Sequence, residues 1–304
     1  MDTKRTYTLD DLENLDFPDF PLAVIGSPIE HSLSPAMHNA ALDKLRIQDT
    51  NFNEWAYYRF DIPADDLLDA LPRFHARNFI GLNLTVPHKV LALQSLESVS
   101  ADAKYMGAVN TLLREESGYA GYNTDGYGLR RGLEIDLGQS MKDSAVLIIG
   151  SGGAARAAAV QALQDGCDQL FIGNRSPTRL AGLVQALSVL GGDDCLQTFT
   201  LDQLPINLPQ TGIAINATSL GLDFADSAPI DVRQLPSNWK VYDMIYNPSS
   251  TQLIREAQSC GLMAANGLSM LVHQGAHSLR LWSKAEVDER SMLEAATETL
   301  LHSS

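Results

Sequence analysis

A glycine-rich turn in the middle of the chain has the spacing of a phosphate-binding loop. The apolar run Val146–Ile149 leads directly into it, and an alanine-rich helical pattern follows. In the form G-x-G-x-x-A, the first glycine allows a tight turn, the second lets backbone approach a pyrophosphate, and the third small residue lets helix and strand pack closely. Free N–H groups at the helix start would face the phosphates. The turn therefore indicates a dinucleotide site, and the alternative is a tight strand–helix turn alone. Its residues are Gly150, Ser151, Gly152, Gly153, Ala154 and Ala155.

Two arginines follow the next apolar run, Leu170–Gly173, in the segment NRSPTR at 174–179. A domain that binds NAD usually has an acidic residue at this strand end, which bonds the ribose 2′-hydroxyl. Here Arg175 and Arg179 stand at the start of a predicted helix, and no acid is present. A guanidinium group suits a 2′-phosphate and stacks on an adenine ring. The pattern favours NADP over NAD, and the alternative is a pair of solvated surface arginines.

A lysine in the first half of the chain stands in an unfavourable place. The segment NLTVPHK at 83–89 follows a predicted strand, and Asn83 and Thr85 alternate onto one face. Pro87 predicts a turn, and Lys89 then lies at the start of a predicted helix, where its positive charge opposes the helix dipole. A charge in such a position points to function, although a solvated surface lysine is the ordinary alternative.

Other polar side chains cluster at predicted element ends in the same half. Ser32 and Ser34 flank a helix start and could hold a carboxylate, or Ser34 could simply cap the helix. Asn110 and Asp125 lie near opposite ends of a predicted hairpin and bring polar groups to one edge. Asp125 could also serve only as the cap of the next helix.

The elements that must position these groups change character near the middle of the chain. Residues 1–20 predict an acidic arm with one short helical patch. The first half then predicts an α/β domain of separated strands and helices. Its strands are Leu22–Ile25, Trp55–Phe60, Phe79–Val86 and a hairpin of Val109–Arg114 with Tyr119–Asn123, and its helices are Pro35–Leu45, capped by Ser34, and Leu67–Arg73.

From Ala145 onward, six short apolar runs alternate with helical stretches, which is typical of a doubly wound parallel sheet. Two helical patterns, Ser269–Trp282 and Ala285–Leu301, follow the last run. We place the domain boundary near Asp125–Leu133, in a predicted connecting helix. The predicted domains are residues 1–125, residues 126–266, and a pair of C-terminal helices at 267–304.

Composition narrows the function classes. The chain has 304 residues, 45% of them hydrophobic and 19% charged, which is ordinary for a globular protein of about two domains. A formal net charge of -15 disfavours nucleic-acid binding, because phosphate would be repelled. No apolar run is long enough for a membrane span, and the N-terminus has no signal-peptide core. Three scattered cysteines fit a reduced, cytoplasmic location and no zinc site.

Taken together, these segments resemble the shikimate dehydrogenase family over residues 21–282. Each motif is modest alone, but nine in the same order are specific. They are SLSP at 32–35, NLTVPHK at 83–89, GAVNT at 107–111, NTDG at 123–126, GSGGAA at 150–155, NRSPTR at 174–179, NATS at 216–219, YDMIYNP at 242–248 and GLSMLVHQ at 267–274.

The resemblance implies a two-domain enzyme: an N-terminal α/β domain that holds shikimate, and a Rossmann-like domain with a doubly wound parallel sheet that binds NADP. It implies that the final helices return to the substrate domain. It also implies that Lys89 is the catalytic acid and base, paired with Asp125, and that no metal is needed. The substrate carboxylate would be held by Ser32, Ser34 and Tyr246, and the ring hydroxyls by Asn83, Thr85, Asn110, Asp125 and Gln274. The cofactor would be held by Gly150–Ala155, Asn174, Arg175, Ser176, Arg179, Thr218, Met244 and Gly267.

Ser176 departs from the threonine common in the family, a conservative change. The implied reaction is the reversible reduction of 3-dehydroshikimate to shikimate, in aromatic amino acid biosynthesis. Quinate/shikimate dehydrogenases and shikimate dehydrogenase-like paralogues stay open as alternatives, and a non-catalytic NADP-binding sensor is a weaker one. The family contains monomers and homodimers, and the sequence does not choose between them.

Overall fold

The computed structural model describes residues 1–192 and 194–303, and these form two compact units. The first unit comprises Met1–Thr124 and the chain from Gln274 onward, and the second comprises Asp125–His273. Within the described residues, no helix is both long and apolar enough to cross a membrane.

The first unit is built on a seven-stranded mixed sheet with the order β1-β3-β2-β4-β6-β7-β5. Its strands are β1 Thr6–Tyr7, β2 Phe20–Gly26, β3 Trp55–Asp61, β4 Gly81–Leu84, β5 Ser98–Val99, β6 Thr111–Arg114 and β7 Tyr119–Tyr122. Strands β1, β3, β2 and β4 run parallel, whereas β6 is antiparallel to both β4 and β7. Strand β2 is buried from Pro21 to Gly26, as a strand in the middle of a covered sheet must be. The helices of this unit are α1 Leu9–Asn14, α2 Ser34–Gln48, α3 Leu67–Ala76, α4 His88–Leu93, α5 Ala101–Met106 and α11 Glu289–Ser303.

The residues predicted as an N-terminal arm of the first domain contribute an edge strand to this sheet. Thr6–Tyr7 pairs in parallel with Arg59–Phe60 of β3. Tyr7 and Leu12 are buried in the core of the unit. The predicted helical patch is confirmed as α1, and Thr8 and Asp11 close its start with a reciprocal capping box. A two-residue edge strand has too little periodicity to be predicted.

Three predicted boundaries in the first unit also change. Helix α2 begins at Ser34 with Leu33 in the cap position, and Leu33 has helical backbone angles. Ser34 is therefore not the cap; instead the Ser32 hydroxyl accepts a hydrogen bond from the Ser34 N–H, at 3.3 Å. Strand β4 covers only the middle of the predicted Phe79–Val86, because the chain turns at Thr85. Helix α11 begins at Glu289 rather than Ala285. Asp288, the residue before it, caps the helix by accepting a hydrogen bond from the Ser291 N–H.

The second unit contains the predicted doubly wound sheet of six parallel strands, in the order β10-β9-β8-β11-β12-β13. The strands are β8 Ala145–Ile149, β9 Gln169–Gly173, β10 Leu196–Phe199, β11 Thr211–Asn216, β12 Asn238–Asp243 and β13 Met263–Asn266. Its helices are α6 Asp125–Leu137, α7 Gly153–Asp165, α8 Pro177–Leu187, α9 Gln252–Ser259 and the first turns of α10 Leu268–Ser283. The strand order reverses between β8 and β11, and ligands of such sheets bind at the carboxyl ends of the strands beside that point.

Candidate functional site

In the first unit, the carboxamide of Asn83 is the centre of a buried polar network. Its Nδ2 lies 3.1 Å from the Asn110 carbonyl oxygen, 3.1 Å from Thr111 Oγ1 and 3.0 Å from Ser278 Oγ. Its Oδ1 accepts a hydrogen bond of 2.7 Å from the Tyr57 hydroxyl. Strands β3, β4 and β6 and helix α10 thus meet at one side chain. A buried amide satisfied in this way is held in one orientation.

Asn110 extends the network toward the end of the hairpin. Its Nδ2 donates to Thr124 Oγ1 at 2.9 Å and to Gln274 Oε1 at 3.2 Å. Its Oδ1 accepts from the Thr124 N–H at 2.8 Å. The structure therefore brings together three of the predicted substrate-binding residues, Asn83, Asn110 and Gln274. Their neutral donors and acceptors suit the hydroxyl groups of a polyol or hydroxy acid.

Lys89 is the second residue of α4, as predicted, and its side chain is half-buried. The turn before it is closed by a hydrogen bond of 2.8 Å from the His88 N–H to the Thr85 carbonyl oxygen. The Lys89 carbonyl oxygen accepts from the Val109 N–H at 2.9 Å, next to Asn110 in the chain. His88 is buried, and its Nε2 lies 2.8 Å from the Ile62 carbonyl oxygen. Burial lowers the pKa of His88, so the imidazole is neutral and anchors the start of α4 without adding charge beside Lys89.

Ser32 and Ser34 lie at the start of α2. Ser34 is buried, and His38, one turn further along, places its Nδ1 2.9 Å from the Ser34 carbonyl oxygen. The His38 ring stacks on Tyr57 at a centroid distance of 4.0 Å and an interplanar angle of 13°. Burial lowers the pKa of His38 to about 4. This part of the unit therefore offers neutral hydrogen-bonding groups near neutral pH.

In the second unit, the glycine-rich turn joins β8 to α7 as predicted. Gly150 has a φ of +119°, and a Cβ there would lie 3.0 Å from the Ala217 carbonyl oxygen, so only glycine is tolerated. Added Cβ atoms at Gly152 and Gly153 would meet no described atom within 4 Å. The backbone of this turn thus faces open space. Ala155 is fully buried, which allows α7 to lie close to the sheet.

The turn forms one wall of a cavity of about 260 Å³. Arg175 and Arg179 line it as exposed side chains, and neither guanidinium forms an ion pair with any residue that the structure describes. Ser176 caps α8 by accepting from the Arg179 N–H, and Asn174 Nδ2 donates to the Ser176 carbonyl oxygen at 3.1 Å. The segment that carries both arginines is therefore fixed while their charges stay available. The predicted residues on the cavity wall are Gly150, Ser151, Gly152, Asn174, Arg175, Arg179 and Thr218.

A buried carboxylate organises the loops that follow β11 and β12. Asp243 Oδ1 accepts from Asn216 Nδ2 at 2.9 Å and from the Ile245 N–H at 3.1 Å, and its Oδ2 accepts from Thr251 Oγ1 at 2.6 Å. Asn216 Oδ1 in turn accepts from the N–H and the hydroxyl of Thr218, at 3.0 and 2.8 Å. Burial raises the pKa of Asp243, against the three hydrogen bonds that lower it. This network sets the position of Thr218, one of the predicted cofactor residues.

Met244 and Gly267 also lie together in the second unit. A Cβ at Gly267 would stand 2.1 Å from the Met244 carbonyl oxygen, and the Met244 N–H donates to the Asn216 carbonyl oxygen at 3.0 Å. Tyr246 is half-buried, and burial raises the pKa of its hydroxyl. Asp125 is the first residue of α6.

The residues of the second unit fit a phosphorylated dinucleotide. The glycine turn leaves open the space that a pyrophosphate would occupy, and the two arginines supply positive charge to a chain that is otherwise strongly acidic. The end of β9 carries Asn174 in place of the acid that would bond an unmodified ribose and repel a 2′-phosphate.

Sequence reasoning missed several residues in both units. Tyr57 and Ser278 belong to the Asn83 network, and Leu201, Ala217 and Leu220 line the cavity. Leu201 follows β10, so its position after a predicted strand was a usable signal. Tyr57 and Ser278 carried no local signal, because their partners are distant in the chain.

Comparisons with known proteins agree with the motifs. Three family models match: the shikimate dehydrogenase substrate binding domain at residues 24–112, shikimate / quinate 5-dehydrogenase at 134–224, and the shikimate 5′-dehydrogenase C-terminal domain at 267–297. A curated shikimate dehydrogenase (NADP(+)) of Methanococcoides burtonii is 40% identical over 278 residues, which cover 91% of this chain and 97% of the relative. The chain belongs to the shikimate dehydrogenase family.

Two solved structures show how far the architecture extends. The shikimate 5-dehydrogenase of Thermus thermophilus, crystallised with NADP(H) and shikimate, is 35% identical with a TM-score of 0.81, and the match covers 92% of this chain and 99% of that one. The 5-ketofructose reductase of a Gluconobacter strain is 28% identical with the same TM-score of 0.81, and the match covers 93% and 99% of the two chains. The fold class predicted from the sequence is thus confirmed, and the family fold includes a reductase named for another substrate.

Proposed function

We propose that the protein is an NADP-dependent shikimate dehydrogenase that reversibly reduces 3-dehydroshikimate to shikimate. Family membership supports the reaction class. The observation that carries the cofactor assignment is the exposed pair Arg175 and Arg179 at the end of a strand that lacks an acid. The neutral network around Asn83 and Asn110 supports a polyhydroxylated substrate in the first unit.

The substrate assignments rest on the network and on the start of α2. Asn83, Thr85, Asn110 and Gln274 are proposed to bond ring hydroxyls, because their side chains offer amide and hydroxyl groups that can both donate and accept. Ser32 and Ser34, with Tyr246, are proposed to hold the carboxylate through hydroxyl donors.

Lys89 is proposed as the general acid and base. In the reductive direction, negative charge develops on the carbonyl oxygen, and the Lys89 ammonium donates a proton to it. In the oxidative direction, the neutral amine accepts the proton of the alcohol. Asp125 is proposed as the second catalytic residue, a carboxylate that bonds a neighbouring substrate hydroxyl. His88, the first residue of α4, has a pKa lowered by burial and therefore adds no positive charge next to Lys89 near neutral pH.

The nicotinamide cofactor, when bound, supplies the hydride of the reduction. Gly150–Ala155 are proposed to receive its pyrophosphate, and Asn174, Arg175, Ser176 and Arg179 its 2′-phosphate and adenine. Thr218, Met244 and Gly267, which the Asn216–Asp243 network and close backbone contact hold in place, are proposed to line the nicotinamide end. A cytoplasmic location, the absence of nucleic-acid partners, and a monomer or homodimer stay predictions of the sequence.

The test is NADP⁺ reduction at 340 nm with shikimate, with NAD⁺ and quinate run in parallel on one preparation. We expect fast turnover with shikimate and NADP⁺, and little with either substitute. Comparable turnover with quinate or NAD⁺ would instead place the protein with the broad-specificity members. Binding of NADPH without turnover of any pair would identify a sensor.

A further inference from the structure

Tyr57 lies beneath the proposed substrate site in the first unit, and no motif of the family resemblance includes it. It is fully buried in β3, and its hydroxyl donates to Asn83 Oδ1 at 2.7 Å. The Asn83 Nδ2 meanwhile faces the Asn110 carbonyl oxygen, which can only accept. The tyrosine hydroxyl and the carbonyl oxygen together determine which end of the carboxamide faces which neighbour.

The backbone of Tyr57 is held as firmly as its hydroxyl. Strand β1 is only two residues long and pairs with Arg59–Phe60, so the edge of β3 at Tyr57 is not covered by it. Asn39 of α2 takes the place of a strand there: its Oδ1 accepts from the Tyr57 N–H at 3.0 Å, and its Nδ2 donates to the Tyr57 carbonyl oxygen at 2.8 Å. One side chain thus satisfies both main-chain groups of Tyr57.

The ring of Tyr57 connects the same residue to the start of α2. His38 stacks on it, and the His38 Nδ1 contacts the Ser34 carbonyl oxygen. Burial raises the pKa of Tyr57 strongly, and a weaker interaction with the Ser34 side chain lowers it. The tyrosine is therefore a neutral hydroxyl donor near neutral pH, and it lies between Ser34 and Asn83.

We infer that Tyr57 is a positioning residue for substrate recognition, which orients the Asn83 carboxamide and ties it to the Ser34 end of the site. The inference rests on the proposed function, since Asn83 and Ser34 are the proposed ligands of the substrate. Loss of the Tyr57 hydroxyl would leave Asn83 Oδ1 without this donor and loosen the orientation of the carboxamide, without removing any group proposed to touch the substrate. Shikimate binding would therefore weaken while cofactor binding stays unchanged.

Tyr57→Phe tests this, because it removes one oxygen and keeps the ring that stacks on His38. Tyr119→Phe is the matched control. Tyr119, the first residue of β7, is also buried, and its hydroxyl donates a hydrogen bond of 2.8 Å to the Phe79 carbonyl oxygen. We expect Tyr57→Phe to raise KM for shikimate roughly 3- to 10-fold, the range of one hydrogen bond, with KM for NADP⁺ within about twofold. Tyr119→Phe should leave both KM values unchanged.

A double-mutant cycle distinguishes positioning from a general loss of stability. If Tyr57 acts through Asn83, adding Tyr57→Phe to Asn83→Ala should cause no further rise in KM for shikimate. Additive effects would overturn the inference, as would an unchanged KM in Tyr57→Phe or an equal rise in both KM values. Melting temperatures of all variants show whether folding is retained. Absence of shikimate turnover in the wild-type protein would overturn the proposed function itself, which separates the two failures.

Discussion

The candidate site residues of the two units differ in burial and in how many of their polar groups already have partners within the protein. In the first unit, Asn83 and Asn110 are buried, and their carboxamides are bonded to neighbouring protein groups. In the second unit, the glycine turn faces open space, and Arg175 and Arg179 are exposed without ion-pair partners among the described residues. A network of neutral donors and acceptors suits the ring hydroxyls of a small polyhydroxylated acid. Open N–H groups and exposed guanidinium groups suit a large anion that brings its own acceptors.

The largest expected effect comes from Lys89, the proposed proton donor, which belongs neither to the Asn83 network nor to the cofactor site. Lys89→Ala should lower kcat by about 10²- to 10⁴-fold, the range of acid–base catalysis, while KM for shikimate and NADP⁺ changes far less. Steady-state kinetics against both substrates measure this. Exposed Lys104 offers a control, because Lys104→Ala should leave kcat unchanged. A Lys89→Ala variant with kcat near that of the wild type would refute the assignment.

The open charges of the second unit should decide cofactor choice. Replacing Arg175 and Arg179 together by alanine should raise KM for NADP⁺ roughly 10- to 100-fold, the equivalent of about one full charge-assisted hydrogen bond, because both guanidinium groups are exposed and solvent screens their charges. KM for NAD⁺ and for shikimate should change little. Arg233→Ala is the control, because Arg233 is an exposed arginine of the same unit that pairs with Asp231. Equal losses with NAD⁺ and NADP⁺ would show that these arginines do not recognise the 2′-phosphate.

In the first unit, the buried side chain of His38 should make the stability of the protein depend on pH. The pKa of His38 is lowered from 6.5 to about 4 by burial, so the unfolded chain binds a proton at His38 below pH 6.5 and the folded chain does not. Stability is therefore lost as pH falls from 6.5 toward 4, by about 1 kcal/mol over the first pH unit. His38→Phe keeps the stack on Tyr57 and should remove that part of the loss.

Urea unfolding of the wild type and His38→Phe at pH 6.5 and 5.5 measures this difference. His302→Phe, at the exposed end of α11, should retain the wild-type pH dependence. An identical loss in the wild type and His38→Phe would mean that His38 is not held neutral by burial.

The same contrast explains what the sequence could and could not predict. The glycine turn and the arginines were predicted, because open groups must stand at fixed positions after a strand and are readable as local motifs. The partners of Asn83 were not: Tyr57 is 26 residues away and Ser278 is 195 residues away, and only the sheet order brings them together. The helices and strands followed from periodicity, whereas the Thr6–Tyr7 edge strand and the start of α2 depend on tertiary pairing. The sequence indicated only that Thr111 and Thr124 lie at the ends of a predicted hairpin, and not that they belong to the network of Asn83 and Asn110.

The central claim is that the glycine turn and the two arginines bind the cofactor while the Asn83 network binds the substrate hydroxyls, and hydrogen–deuterium exchange of the wild-type protein tests it most directly. Exchange is followed with no ligand, with NADPH alone and with shikimate alone. NADPH should slow exchange in peptides covering residues 150–156 and 174–180, which contain the glycine turn and the starts of α7 and α8, and leave residues 81–84 and 110–113 unchanged. Shikimate should slow exchange in peptides around residues 32–38 and 83–89 and around its proposed ligands Asp125 and Tyr246, and leave residues 150–156 and 174–180 unchanged. Protection of the glycine turn by shikimate, or of the Asn83 network by NADPH, would contradict the account.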